Sequence, residues 1–255
     1  MNSPRLSPQQ AAYSFFASHH PKADCVLLAG SFVRGEATQY SDLDLVVLYP
    51  ELPQAYRESL IWEGYPVESF VHDAQTLHYF FEKMDRPTGF PSLMQMVVEG
   101  IEVPKPTIIS MAMKILARQV IEAGPEALTE DDLRGRRYRI TDLVDDIRAP
   151  RSAAELRATG VQLHDALADF YFRSQGLWSA RGKTIIRKLR AHSPEFCARF
   201  EAAFEALFVA GEARLVIELS EEVMGPYGGV LFAEYRLEAP AEFRIEPQLP
   251  FFERD

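Results

Sequence analysis

The segments that most constrain this chain are two short apolar runs, ADCVLLAG at residues 23–30 and LDLVVLY at residues 43–49, separated by a polar stretch. Runs of this length and composition, bounded by Gly, Asp and Pro, read as buried strands. Upstream, Ser7 as N-cap with Pro8 at the first helical position predicts a short helix to about His20. Residues 32–40 read as a turn or short helix. Another helix is predicted from Pro53 to Trp62, and the Gly64-Tyr65-Pro66 turn precedes a third strand, Val67 to Val71. This alternation is an α/β pattern.

Pro87, Pro91, Pro104 and Pro106 punctuate the next region, and beyond them the apolar periodicity becomes helical. Helices are predicted at about 107–123, 129–148, 152–175, 182–191, 194–210 and 212–223, each bounded by Gly, Pro or a capping Ser or Thr. Leu156, Val161, Leu163, Leu167, Phe170 and Tyr171 supply an apolar face suited to a helical bundle. After Gly228-Gly229 the chain reads as a strand or extended arm, ending in a Pro-containing tail over residues 238–255. The expected organisation is two domains. Residues 1–105 form an α/β (α+β) domain around a small mixed sheet, and residues 106–255 form an all-α helical bundle.

Composition narrows the classes of function. A 255-residue chain that is 47% hydrophobic and 25% charged is ordinary for a globular enzyme. Its formal charge of −10 argues against a nucleic-acid partner, because phosphate backbones are bound by clustered Lys and Arg. Cys25 and Cys197 are the only cysteines, which supports neither a disulfide framework nor a cysteine metal site and fits a cytoplasmic protein. The N-terminal segment has no long apolar core, and the apolar stretches fall far short of a bilayer crossing, so no membrane association is expected.

Chemistry concentrates where the second apolar run begins. Side chains alternate along a strand, so Asp42 and Asp44 share one face while Leu43 and Leu45 take the other. The two carboxylates, on the order of 6–7 Å apart along the strand, repel each other unless a cation joins them. Mg²⁺ favours one or two carboxylates together with substrate phosphates, which makes both aspartates candidate metal ligands. Gly30 and Ser31, at the end of the first strand, offer backbone N–H groups and a hydroxyl to a phosphate. Glu68 lies in the third predicted strand among Val67, Phe70 and Val71, where a lone ionised carboxylate is costly. If its strand neighbours that of Asp44, Glu68 completes a three-carboxylate site and can serve as general base. Asp73, past the strand end, is the competing third ligand.

At these residues the chain resembles a known family. Gly30-Ser31-Phe32-Val33-Arg34-Gly35 followed by Ser41-Asp42-Leu43-Asp44-Leu45 is similar to the G-S-x-x-x-G and S-D-x-D-L signature of the DNA polymerase beta-like nucleotidyltransferase superfamily. Within it the resemblance is to aminoglycoside-type nucleotidyltransferases, whose small catalytic domain is followed by a helical bundle. The resemblance implies Mg²⁺, ATP or another nucleoside triphosphate as donor, and transfer of a nucleoside monophosphate with loss of pyrophosphate. It assigns Gly30 and Ser31 to the triphosphate, Asp42 and Asp44 to the metal, and Glu68 as third carboxylate. The acceptor it implies is a hydroxyl of a small molecule bound in a cleft beside the helical domain, and it leaves room for a homodimer. Nucleotide transfer to a protein side chain, and a non-catalytic binding module of the same fold, are the alternatives.

Remaining features are weighed against ordinary structural roles. Arg34 is a candidate phosphate contact or a partner of Glu36. The cluster Arg134, Arg136, Arg137 and Arg139, and the cluster Arg181, Lys183, Arg187, Lys188 and Arg190, read first as solvated faces. Lys183, just after Gly182 near a helix N-terminus, is nonetheless a candidate triphosphate contact. Asp145 and Asp146 read as helix-surface salt bridges or as acceptor ligands. The six histidines show no H-x-x-x-H or Cys-His spacing, which argues against a zinc site. Tyr40 and the aromatic runs read as core.

Overall fold

The computed structural model describes residues 5–245, and residues 246–255 of the C-terminal tail lie outside the described residues. Helix α1, Pro8–Ser18, begins with the expected cap: Ser7 and Gln10 bond each other's backbone N–H reciprocally, with Pro8 at the first position. Strand β1 is Cys25–Ala29 and β2 is Leu43–Leu48. They pair antiparallel, with Ala29 opposite Asp44. A 3₁₀ turn, Gly30–Phe32, follows β1 directly.

The helix expected from Pro53 to Trp62 is instead strand β3, Tyr56–Trp62, which pairs antiparallel with β4, Tyr65–His72. Two local features override the helical reading. Glu63 and Gly64 both take positive φ (49° and 78°), the geometry of a two-residue hairpin turn. The stretch YRESLIW also alternates, with Glu58, Leu60 and Trp62 more buried than Arg57, Ser59 and Ile61. Strand β4 is therefore the fourth in sequence, not the third.

Beyond β4 the chain builds α2 (Ala74–Tyr79), a π-helical segment (Phe80–Asp85), α3 (Arg86–Thr88), α4 (Ser92–Glu99) and strand β5 (Ile101–Val103). The five strands form one mixed sheet in the order β3-β4-β2-β1-β5, with β2 and β4 parallel. Pleating sends Val26, Leu28, Leu43, Leu45, Val47, Val67 and Val71 to one face, against Ala11, Ala12 and Phe15 of α1. Cys25, Leu27, Val46 and Leu48 face the other side, against Leu77, Phe81, Met94 and Val97. Both cysteines are buried thiols.

The six helices expected in the second half are present as α5 (Ile108–Ala123), α6 (Glu130–Arg148), α7 (Ala153–Arg173), α8 (Thr184–His192), α9 (Pro194–Glu205), whose last turn runs on as a π-helical segment to Ala210, and α10 (Arg214–Met224). Thr107 and Thr129 cap α5 and α6 with reciprocal bonds to Ser110 and Asp132. Val161, expected on the buried face of α7, is 58% exposed, whereas Leu156, Leu163, Leu167 and Phe170 are buried. The chain is thus a mixed five-stranded sheet with covering helices, followed by a helical region.

Two compact units emerge from the packing. One comprises Met1–Leu128 with Ala168–Cys197, the other Thr129–Leu167 with Ala198–Asp255. The expected break at 105/106 falls inside the first unit, because α5 packs on α2 and α4 and contributes Ala117 and Val120 to the core under the sheet. Trp178 joins that core and donates its indole N–H to the Ile121 carbonyl at 2.8 Å. In the second unit, Arg137 donates to the carbonyls of Gly228 and Gly229, and Arg134 to that of Glu234. Tyr138 stacks on Tyr235 with ring centroids 4.0 Å apart. Arg134 and Arg137, expected in a solvated face, therefore hold the segment after Gly228, which among the described residues is irregular chain with two isolated turns and no strand. Asp145 pairs with Arg148 on the surface of α6. Among the described residues no helix is long and apolar enough to cross a membrane.

Candidate active site

The expected carboxylates converge where the start of β2 lies beside the middle of β4. Parallel pairing sets Asp44 directly beside Glu68, and Asp42 lies one residue before β2 on the same pleat face as Asp44. One carboxylate oxygen from each of Asp42, Asp44 and Glu68 lies within 4.8 Å of the other two, and all three residues are half-buried. Burial pushes the Asp44 carboxyl up to about 6, and the neighbouring charges of Asp42 and Glu68 push the same way. Arg34 and Lys183 oppose that rise. An all-oxygen, anionic donor set held together against its own repulsion fits a hard divalent cation such as Mg²⁺.

Gly30 completes this corner. It opens the 3₁₀ turn with φ of +74°, and a Cβ built there would lie 1.9 Å from Asp44 Oδ2. Only glycine accommodates both the backbone angle and the carboxylate. The turn runs through half-buried Ser31, whose carbonyl accepts the Glu36 N–H at 2.9 Å. Asp73, the competing ligand, is committed elsewhere: its side chain caps α2 through Thr76 and accepts the Leu52 N–H at 3.0 Å. Burial alone would raise its carboxyl, but these hydrogen bonds outweigh burial and hold it low.

A cavity of about 550 Å³ opens beside the carboxylates, lined by Gly30, Arg34, Asp44, Glu99, Arg187 and Lys188 among others. Arg34 bridges two acids, donating from Nε to Glu36 at 3.2 Å and from Nη1 to Glu99 at 2.5 Å. Arg187 reaches the same Glu36 at 2.8 Å. Arg181 lies over the Phe90 ring, 3.6 Å from its centroid. Burial lowers the Lys188 ammonium from its ordinary value. Lys183 is exposed at the N-terminal flank of α8; its charge acts on Asp44, but it is not part of the cavity wall. A larger groove of about 920 Å³ runs along α1 and β5; among the described residues Glu102 is its only charged lining residue.

Four site residues owe their place to contacts that sequence reasoning does not reach. Glu99, at the end of α4, accepts the Gly30 N–H on Oε1 at 3.0 Å, from a position 69 residues away. No spacing signals that contact. Arg57 pairs with Glu68 Oε1 and lies over the Phe70 ring; reading its segment as a helix hid the pairing. Arg187 and Lys188 belong to a cluster visible in the sequence, yet their position on the cavity wall depends on how the 179–188 segment folds onto the sheet domain.

Among solved structures, the chain is similar to a nucleotidyltransferase-like protein from Exiguobacterium sibiricum 255-15, at 14% identity and a TM-score of 0.45, over 86% of this chain and 75% of that one. No curated protein sequence matches. Residues 14–99, the segment that carries Gly30, Ser31, Asp42, Asp44 and Glu68, match the family model described as a nucleotidyltransferase domain.

Proposed function

We propose that this protein is a Mg²⁺-dependent nucleotidyltransferase that moves a nucleoside monophosphate, AMP from ATP, onto a hydroxyl of a small molecule such as an aminoglycoside-like antibiotic. The observation that carries this reading is the Asp42, Asp44 and Glu68 cluster beside the Gly30 turn, whose Asp44 lines a cavity walled by Arg34, Arg187 and Lys188. Asp42, Asp44 and Glu68 would hold the cation. When bound, Mg²⁺ supplies positive charge against the phosphate oxygens where negative charge accumulates during transfer.

The chain's own groups do the rest. Gly30 and Ser31 present the turn backbone to the triphosphate, and Arg34, Lys183, Arg187 and Lys188 neutralise its oxygens. The acceptor oxygen forms a bond to the α-phosphorus as the bond to the bridging α–β oxygen breaks, and pyrophosphate leaves. Glu68, paired with Arg57 through Oε1, takes the acceptor proton as general base, and on protonation it would leave Asp42 and Asp44 to hold the cation. Holding donor and acceptor in line and stabilising the developing charge together make up nearly all of such catalysis.

Incubation with labelled ATP, Mg²⁺ and a panel of aminoglycosides, lincosamides, other polyols and candidate protein acceptors tests the reading. The expected result is pyrophosphate release with at least one small hydroxylated acceptor, abolished by Asp42→Asn. Transfer only to protein would redirect the assignment, and no release with any acceptor would remove it.

A further inference from the structure

On the opposite face of the sheet from the three carboxylates, His19, His20 and Glu58 form a second convergence of potential ligands. Glu58 lies in β3 opposite Ser69 of β4, on the face covered by α1. His19 is the C-terminal cap of α1. The N–H groups of His19 and His20 both bond the Phe15 carbonyl, at 2.9 and 3.2 Å, as the helix ends. Consecutive helical residues point about 100° apart, but here the chain leaves the helix between them. Both rings consequently turn to one carboxylate, with centroids 4.8 Å apart and planes at 87°.

The geometry points to a binding site for a borderline divalent transition metal such as Zn²⁺, with His19 Nε2, His20 Nε2 and Glu58 as ligands. Glu58 Oε1 lies 3.2 Å from His19 Nε2 and 3.1 Å from His20 Nε2. Ligand atoms bound tetrahedrally at the usual zinc distances of about 2.0–2.1 Å are separated by about 3.3 Å. Small rotations of the side chains therefore suffice to admit an ion. The second ring nitrogen of His20 is also engaged: Nδ1 lies 3.0 Å from the Tyr49 hydroxyl, the outer partner that fixes a ligating imidazole's tautomer. Phe15 packs against both rings and Trp62 against His19, which limits their rotation.

His20 is 2% exposed. Burial lowers its pKa, against the opposing pull of the Glu58 charge. Side chains of His19 and Glu58 are 37% and 29% exposed, which gives an ion a route in and leaves water as the fourth ligand. Mixed nitrogen and oxygen donors distinguish this site from the all-oxygen cluster around Asp44. Its role is structural: the ion ties the end of α1 to β3.

The test uses the untagged full chain, stripped with a chelator and titrated with Co²⁺ and then Zn²⁺. Wild type is expected to develop visible Co²⁺ absorption of a low-coordinate nitrogen-oxygen site, saturating at one equivalent and bleached by Zn²⁺, and to melt at higher temperature with Zn²⁺. Glu58→Gln and the partly exposed His19→Gln, each checked by circular dichroism for native fold, are expected to weaken Zn²⁺ binding by at least about tenfold. The Asp42→Asn/Asp44→Asn double variant is expected to keep the spectrum. No Co²⁺ spectrum in wild type, or one that survives Glu58→Gln and vanishes in the aspartate variant, would overturn the assignment.

Discussion

A Cβ on Gly30 would lie 1.9 Å from Asp44 Oδ2, so the turn after β1 and the carboxylate at the start of β2 occupy space that only a glycine leaves open. Backbone strain compounds the clash, because Gly30 holds φ at +74°. Gly30→Ala is therefore expected to destabilise the protein by about 1–3 kcal/mol. It should also cut nucleotidyl transfer on the order of 100-fold by displacing Asp44. Thermal melting and pyrophosphate release measure the two effects; a variant active at the wild-type rate would refute the packing argument.

Asp44 makes a prediction in pH. Its folded carboxyl titrates at about 6, above the value of about 3.9 expected unfolded. Between these values the folded state binds more protons, so the contribution of Asp44 to stability is complete below about pH 4 and is lost as pH rises through about 6. Metal-free wild type should lose melting temperature relative to Asp44→Asn mainly between about pH 4 and pH 6.5. Mg²⁺ should restore wild type and not the variant. Parallel melting curves for the two metal-free proteins would contradict the repulsion described for this cluster.

Glu99 Oε1 accepts from both the Gly30 N–H and Arg34, so an acidic side chain sits where the proposed triphosphate would be cradled. A nucleotide must displace it. Glu99→Gln removes the competing charge and should tighten binding of a fluorescent ATP analogue by about 5- to 20-fold. Weaker binding would mean that Glu99 orders the turn for the nucleotide instead.

Arg187 lines the cavity and pairs with Glu36, which Arg34 also engages. Arg187→Ala should weaken nucleotide binding by about tenfold at low salt, with a smaller loss at high salt, where screening already diminishes the wild-type attraction. Equal affinity for both proteins at low ionic strength would leave Arg187 with a surface role only.

The correction at residues 53–62 has a local cause. Residues 53–62 read as a helix until Glu63 and Gly64 both adopt positive φ, a conformation that turns YRESLIW back as a hairpin strand. The break at 105/106 follows a real change of periodicity, yet α5 and the segment around Trp178 bury their apolar side chains under the sheet. Tyr40, expected in the core, is 84% exposed. Periodicity reports which face of an element is apolar and is silent about which neighbour will cover it.

What the sequence by itself determined is chemistry tied to short spacing. The pair Asp42 and Asp44 on one strand face, the Gly30-Ser31 turn before them, the capped helices and the helical second half all depend on residues within a turn or a strand of one another. Glu68 was legible as a buried carboxylate needing partners, and the parallel pairing of β2 with β4 supplied them. Only the tertiary structure decided what distant segments bring together: Glu99 on Gly30, Arg57 on Glu68, Arg187 on Glu36, and Glu58 between His19 and His20. Those contacts join residues far apart in the chain, and their geometry is set by sheet register and helix packing, which no local pattern encodes.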